Sequence, residues 1–299
     1  MEFIPEDAHW YDIILPFMLA GTLILTYVNG RRASILVSIV NRWLRWITFA
    51  TAAAYLSFAG EFFVKPFWVL FAVFFLFWFL VETIYHWLAI KALSNSTVPL
   101  FPDFKENPQG EEWPAQKRFL TIRKWLKKES YRSIASLRAE LMPGINLRMH
   151  VFQSDSNKTR IQILFIPQRH GAVSMCYTIL SQTVDGSRYV TDNTFLPFGG
   201  FYPENWFLER RPLTRNFSRL FKSHKKRIEN TKEVFVDWDE EVVDDVNQQQ
   251  KMLEKVNTDM GFLFPIHQRE EYGKITWEGR YRVWKEIWML NYFGKAFTY

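Results

Sequence analysis

The feature that most restricts the fold of this chain is the charge-free run from Pro66 to Val81, in which eight of sixteen residues are Phe or Trp. At about 1.5 Å per residue a helix over this run covers roughly 24 Å. Continued to Leu88, it exceeds the roughly 30 Å thickness of a bilayer hydrocarbon core. The sequence therefore predicts a membrane-spanning helix here.

A second charge-free run, from Ile13 to Val28, is also long enough to be a span. The region between the two runs is less uniform, because Asn41, Arg42 and Arg45 interrupt its apolar residues. We expect an amphipathic segment on the inner membrane surface over residues 33–45, followed by a third span from about Trp46 to Phe63. A re-entrant segment over residues 33–63 is the alternative.

The positions of the basic residues predict the orientation, because cytoplasmic loops carry an excess of Lys and Arg. Basic residues follow the first run, and more of them follow the last one. They are Arg31, Arg32, Arg42, Arg45, Lys91 and the cluster over residues 117–128. Two further crossings between these clusters place the N-terminus outside and the C-terminal part in the cytoplasm, in a plasma or bacterial inner membrane.

A stripe of small residues lies on the predicted third span, with Ala50, Ala54 and Ser57 at spacings of four and three. Small side chains allow membrane helices to approach closely. We interpret the stripe as packing within a three-helix module of this chain. A seam between copies of the chain is the alternative, and it would suit an oligomeric pore or transport subunit.

Charge is distributed unevenly along the 299 residues. Residues 1–92 hold six basic and six acidic residues, whereas residues 93–299 hold 31 and 25, so the net charge of +6 lies in the C-terminal part. We divide the chain into a transmembrane module (1–92), a proline-rich linker (93–114), juxtamembrane basic helices (115–144) and a cytoplasmic α+β domain (145–299). Cys176 is the only cysteine, which fits a reducing compartment.

The juxtamembrane region predicts two helices. In the first, Phe119, Ile122 and Leu126 form an apolar stripe. The basic residues on its other faces, which could lie on anionic lipid or simply face water, are Lys117, Lys124, Lys127 and Lys128. The second helix is predicted from Ser133 to Met142, with Pro143 and Gly144 ending it.

The α+β domain begins with alternating apolar and polar residues over 147–151, 161–165 and 173–179, which predicts strands. Asp185-Gly186 predicts a two-residue hairpin, and so an antiparallel β-meander of four strands flanked by amphipathic helices. Pairing Val184 with Ser187 would place Asp192 opposite Ile179, on the apolar side. A bulge or the end of the strand would instead free Asp192 to solvent.

A strongly basic amphipathic helix follows Pro212. The cations along one side of it are Arg215, Arg219, Lys222 and Lys226. They predict an anion-binding site, with a solvated helix face as the alternative. The acidic residues between Glu233 and Asp245 could also neutralise them. His224 lies on the apolar side, where a hydrogen-bonded core histidine is expected.

The sequence carries no recognised catalytic or metal-binding motif. The catalytic candidates are His170, in a turn between two strands, and Asp192, which could meet near the packed loop 196–203. Cys176 lies in a strand, where we expect an inert thiol. We expect no metal and no cofactor.

The leading interpretation is a non-enzymatic membrane protein whose basic cytoplasmic domain binds an anionic ligand, lipid or protein partner and couples it to the membrane helices. Such a protein would act as a sensor, adaptor or scaffold, and nucleic acid is not an expected partner. A membrane-bound hydrolase with a site near His170 and Asp192 is one alternative. An oligomeric pore or transport subunit is another.

Overall fold

The computed structural model describes residues 10–32, 34–110, 113–167 and 173–297. These residues form two compact units. The first consists of the described residues up to Lys91 together with Ile287–Gly294, and the second of Ala92–Glu286 with the chain from Lys295 onward. The division falls between Lys91 and Ala92, and residues 287–294, which we assigned to the cytoplasmic domain, group with the first unit.

Three long helices dominate the first unit: α1 (Trp10–Arg32), α2 (Ile35–Ala59) and α3 (Phe67–Asn95). Two stretches, Ile13–Gly30 and Phe67–Asn95, are long and apolar enough to cross a membrane. Their large side chains are mostly exposed, for example Leu23 at 72% and Trp68 at 65%. A core helix of a soluble protein would bury such side chains, so α1 and α3 are candidate membrane spans.

Helix α2 differs from the expectation of an amphipathic segment followed by a separate span from Trp46 to Phe63. It is one continuous helix that contains both Arg42 and Arg45 and ends at Ala59, before Gly60. Because no Gly or Pro occurs between Ile35 and Ala59, nothing in the backbone interrupts it. Only two helices in the described part of the chain meet the length and hydropathy of a span, so a third span is not shown.

Aromatic packing holds the C-terminal part of the first unit. The ring of Trp46 stacks on Phe75 with centroids 4.6 Å apart, and it also lies 5.7 Å from Trp288. The indole Nε1 of Trp43 donates to the carbonyl oxygen of Tyr292 at 2.9 Å. These contacts explain why residues 287–294 belong to the first unit.

The second unit is built on a mixed sheet of seven strands, which lie in the sheet in the order of the chain. All neighbouring pairs are antiparallel except the last. The strands are β1 (Lys105–Glu106), β2 (Tyr131–Met142), β3 (Ile145–Ser154), β4 (Arg160–Pro167), β5 (Val173–Gln182), β6 (Arg188–Asp192) and β7 (Trp206–Arg210). The sheet confirms the α+β class and the strands predicted near 147–151, 161–165 and 173–179, but the meander is longer than the four strands expected.

Helices complete the second unit: α4 (Lys117–Lys128), α5 (Phe217–Glu229), α6 (Val242–Asp259), α7 (Arg269–Tyr272) and α8 (Trp277–Trp288). On one face of the sheet, Leu126 of α4 and Leu220 of α5 pack against Ile161 and Ile179. On the other face, Val246 of α6 packs in a cluster with strand residues of β2 and β3. The sheet is therefore covered by helices on both faces.

The helix predicted from Ser133 to Met142 is wrong, because this segment is strand β2. Leu137 and Ala139 are buried while Arg138 and Glu140 are exposed, which is the period-two pattern of a strand. The following Pro143-Gly144 forms the tight turn to β3, with Gly144 at φ +81°. The juxtamembrane region therefore contains one basic helix, not two.

The predicted register of the β5–β6 hairpin is wrong by one residue. The N–H of Thr183 donates to the carbonyl of Ser187 at 2.9 Å, so the loop has three residues, with Gly186 at φ +81°. Asp192 consequently pairs with Thr178 and not with Ile179, which places it on the opposite face from the one expected. It is still buried, at 5% exposure, because helices cover that face as well.

Candidate anionic-surface site

Helix α4 separates apolar and basic residues as its sequence predicts. Phe119 and Leu126 are buried against the sheet. The exposed lysines are the four that we expected to contact lipid, Lys117, Lys124, Lys127 and Lys128. The last two lie in the final turn, where a positive charge also stabilises the helix dipole.

Helix α5 presents a second basic surface. The side chain of Asn216 caps its first turn by accepting a hydrogen bond from the N–H of Arg219 at 3.1 Å. Phe217, Leu220 and His224 form the buried side. The helix therefore turns most of its charged residues away from the sheet.

The eight Lys and Arg residues between Arg210 and Arg227 fall into two groups. Those with partners inside the chain are Arg210 with Asp192 and Glu286, Arg211 with Glu209, Lys225 with Glu229, and Arg227, which donates to the carbonyls of Val190 and Phe207. The other four are exposed and form no ion pair within the described residues: Arg215, Arg219, Lys222 and Lys226. These are the four residues that the sequence predicted for anion binding.

The structure brings α4 and α5 together on one face of the sheet. Trp125 of α4 makes edge-on ring contacts with Phe217 at 5.1 Å and with Phe221 at 5.3 Å. The pKa of the Arg215 guanidinium is lowered by burial and by the like charge of Arg118 in α4. We call the four lysines of α4 and the four unpaired cations at α5 the basic face.

Within the described part of the chain, the acidic residues after α5 form no ion pair with the basic face. Asp245 binds two buried arginines of the sheet, Arg160 at 2.8 Å and Arg188 at 2.9 Å. Glu240 also lies 3.8 Å from Arg188. Asp245 therefore compensates positive charge in the interior between the sheet and α6.

Asp192, one of the two weak catalytic candidates, has a set of internal partners. Its Oδ1 lies 3.3 Å from Nε of Arg210 and accepts a hydrogen bond from the N–H of Thr194 at 2.9 Å. Burial raises the pKa of this carboxyl, and the charge of Arg210 opposes the effect. His170 lies outside the described residues, so the proposed convergence of the two stays a prediction.

Two other reactive side chains of the domain, those of Cys176 and His224, are buried. Burial raises the pKa of the Cys176 thiol to about 11, so it is protonated at neutral pH and a poor nucleophile. The ring of His224 lies within hydrogen-bond distance of Ser181 and Thr191. Among the residues described, no group of three or more His, Cys, Asp and Glu side chains is placed to hold a metal ion.

The small-residue stripe on α2 is covered within the chain. Ala50, Ala54 and Ser57 are all buried, and Ala54 packs with Phe67 and Leu70 of α3. This arrangement corresponds to packing within the helical module. It leaves the stripe covered without a second copy.

Sequence reasoning found the cations of the basic face but treated α4 and α5 as separate surfaces. The two helices meet through aromatic residues almost a hundred positions apart in the sequence, Trp125 on α4 and Phe217 and Phe221 on α5. These aromatic residues are the only signal of the contact in the sequence. No family model, curated protein or solved structure matches this chain.

Proposed function

We propose that this chain is an integral membrane protein whose α+β domain holds its basic face against the anionic lipid headgroups of the cytoplasmic leaflet, as a lipid-responsive sensor or scaffold. One observation supports this proposal above all others. Eight exposed Lys and Arg side chains lie on α4, on α5 or, for Arg215, just before α5, and none of the eight forms an ion pair with another described residue.

Electrostatic attraction would hold the basic face at the membrane. Each Lys or Arg near a leaflet that contains acidic lipids contributes about 1 kcal/mol, and the attraction decays over a Debye length of roughly 8 Å at physiological salt. Several such residues on one surface give useful affinity, whereas one or two do not. Because the charges are spread along two helices, they suit an extended anionic surface.

The membrane topology belongs to the same proposal. Helices α1 and α3 supply two crossings, and α2 supplies a third with its Arg42 and Arg45 near the inner surface. Three crossings place the N-terminus outside and the domain in the cytoplasm, where acidic lipids are concentrated. Protease protection of tags at the two ends of the chain tests this orientation.

The test of lipid binding uses the full-length protein in nanodiscs of phosphatidylcholine, with and without phosphatidylserine. A nitroxide on a Thr121→Cys variant reports on α4, since Thr121 is exposed and Cys176 is buried. Phosphatidylserine should lower the accessibility of the nitroxide to a water-soluble relaxation agent. High salt should reverse the effect.

A matched pair of double variants provides the control. Arg219→Glu with Lys222→Glu changes the charge of the basic face, and Lys251→Glu with Lys255→Glu makes the same change on α6, on the other face of the sheet. Only the first pair should abolish the response to phosphatidylserine. Equal effects of the two pairs, or no response in the parent protein, would contradict the proposal.

A further inference from the structure

A cleft of about 540 Å³ opens where α4 ends and β2 begins. We propose that this cleft binds a phosphate monoester group, and that the headgroup of a lipid such as phosphatidic acid supplies it. The lipid source rests on the proposed function of the basic face. The phosphate chemistry rests on the residues of the cleft alone.

The chain reversal after α4 creates the cleft. Only Glu129 and Ser130 separate the helix from β2, and Ser130 adopts a left-handed backbone conformation with φ +60°. The last turns of α4 and the first residues of β2 therefore line the same opening. Buried aromatic rings of Tyr131 and Phe152 form part of its wall.

The cleft is strongly cationic. Three basic side chains line it, those of Arg123 and Lys127 of α4 and of Arg132 of β2, and Asp155 supplies the one carboxylate among its described lining residues. A phosphate monoester carries a charge of about −1.5 to −2 at pH 7, so these cations attract it more strongly than a phosphodiester or a carboxylate, each of which carries a single negative charge.

Arg132 provides the geometry for recognition of a phosphate group. Its Nε lies 3.2 Å from Oδ1 of Asp155, and its side chain is 65% exposed. The terminal nitrogens of Arg132 form no ion pair with another described residue. A guanidinium presented in this way can donate two parallel hydrogen bonds to phosphate oxygens.

Two serine hydroxyls complete the set of donors. Ser130 and Ser133 both line the cleft and both are exposed. Within the described structure neither hydroxyl forms a hydrogen bond to another residue. The three terminal oxygens of a phosphate monoester could thus accept hydrogen bonds both from the cationic side chains and from the two serine hydroxyls of the cleft.

The position of the cleft connects it with the basic face. Lys127 belongs to both, because it is one of the four exposed lysines of α4 and also lines the cleft. Tyr131, in the wall of the cleft, contacts the ring of Phe221 in α5 at 5.8 Å. A lipid headgroup in the cleft would therefore lie at the end of the surface that we propose rests on the leaflet.

Calorimetric titration of the full-length protein in a neutral detergent tests the inference. The probes are short-chain phosphatidic acid, short-chain phosphatidylserine and glycerol 3-phosphate. Phosphatidic acid should bind more tightly than phosphatidylserine, and Arg132→Gln should weaken its binding about tenfold, because a hydrogen bond to a charged group is lost. Arg132→Lys should restore part of the affinity.

The Asp155→Asn variant distinguishes a phosphate-binding role of Arg132 from a purely structural role of the Arg132–Asp155 ion pair. Removing the carboxylate that competes for Arg132 should strengthen the binding of phosphatidic acid, whereas the loss of a structural ion pair would weaken it. Thermal unfolding of each variant checks that the fold is intact. An intact fold is expected for these variants, because the side chains of Arg132 and Asp155 are 65% and 60% exposed.

The outcomes separate the two proposals. If phosphatidic acid and phosphatidylserine bind equally, or if Arg132→Gln has no effect, the cleft is not a phosphate site, while the response of the nitroxide at residue 121 still tests the basic face. If glycerol 3-phosphate binds as tightly as phosphatidic acid, the phosphate site is supported and its lipid source is overturned. Arg132→Gln should leave the phosphatidylserine response of the nitroxide intact.

Discussion

The indole ring of Trp125 lies edge-on against the ring of Phe217, with centroids 5.1 Å apart and an angle of 77° between their planes. The contact joins α4 to α5 across the surface of the sheet, between residues that are far apart in the sequence. Without it the two groups of cations would be independent surfaces. The basic face therefore depends on aromatic packing as much as on charge.

Replacing Trp125 by Ala should lower the free energy of unfolding by about 2 kcal/mol, because it removes two edge-to-face contacts and part of the apolar area they bury. The same variant should weaken the response to phosphatidylserine although no charge is changed. Thermal unfolding in detergent and the nitroxide assay measure the two effects. Trp125→Phe should retain most of both, and a Trp125→Ala protein that behaves like the parent would show that α4 and α5 are not coupled.

His224 predicts a specific dependence of stability on pH. Burial and the nearby charge of Arg227 lower its pKa to about 3, compared with an ordinary value of 6.5. Between these values the unfolded chain binds a proton that the folded chain does not, so stability falls as the pH is lowered from 6.5 towards 3. Above pH 6.5 both states are neutral at this position and the effect vanishes.

Denaturation of the parent and of His224→Gln between pH 7 and pH 4 measures this effect. The parent should lose stability relative to the variant by up to about 1.4 kcal/mol for each pH unit below 6.5, since carboxylates titrate equally in both proteins. If the difference in stability between the two proteins stayed constant over this range, His224 would bind a proton as readily in the folded state as in the unfolded state. The hydrogen-bonded contacts to Ser181 and Thr191 would then need reinterpretation.

Arg210 should be more important for stability than either of its acidic partners. Its guanidinium lies between Asp192 and Glu286, and all three side chains are at most 10% exposed. Arg210→Met leaves two buried carboxylates without a cation and should cost about 3–5 kcal/mol. Asp192→Asn should cost less, because Arg210 keeps Glu286.

The loss in Arg210→Met should also depend on pH. Burial raises the pKa of both carboxyls, and without Arg210 only hydrogen bonds, from Thr194 to Asp192 and from the N–H of Phe297 to Glu286, oppose this effect. A carboxyl whose pKa is raised in the folded state binds a proton that the unfolded state releases, so the variant should lose further stability as the pH rises. Chemical denaturation at pH 5 and pH 8 measures the difference, and a smaller deficit at pH 8 would contradict the assignment.

The sequence predicted those elements whose signal is local. Alternation identified the strands around Met149, Ile163 and Tyr177 because apolar residues occur at alternate positions there, although residues on both faces of these strands are buried. It failed for β2, where Ser, Ala, Leu, Arg and Glu suit a helix and pairing with β3 decides the outcome. The register of the β5–β6 hairpin failed because the sequence Asp-Gly is compatible with a loop of two or three residues.

The site was predicted residue by residue, but its assembly was not. The sequence identified Arg215 and Lys226 as candidates because the helix pattern separates them from the apolar side. It could not show that Arg227 serves strand carbonyls or that Arg210 is buried, because those roles depend on which strands lie beside α5. The adjacency of α4 and α5 likewise follows from the order of the strands in the sheet.

Gly199 lies in the connection between β6 and β7 and packs against the backbone of α8. Its φ is +70°, and its carbonyl accepts a hydrogen bond from Nε of Arg282 at 2.9 Å. A Cβ atom at this position would come within 2.7 Å of the backbone of Arg282 and Val283. Gly199→Ala should therefore destabilise the protein in two ways, by backbone strain and by a clash with rigid backbone.

Gly144, in the β2–β3 turn, separates these two effects. Its φ is +81°, but a Cβ there would meet nothing within 4 Å. Gly144→Ala should cost only the left-handed conformation, about 1–2 kcal/mol. Gly199→Ala should cost clearly more in the same thermal unfolding experiment, because helix backbone cannot move aside as a flexible side chain can. Equal losses in the two variants would mean that the loop can withdraw from α8 at little cost.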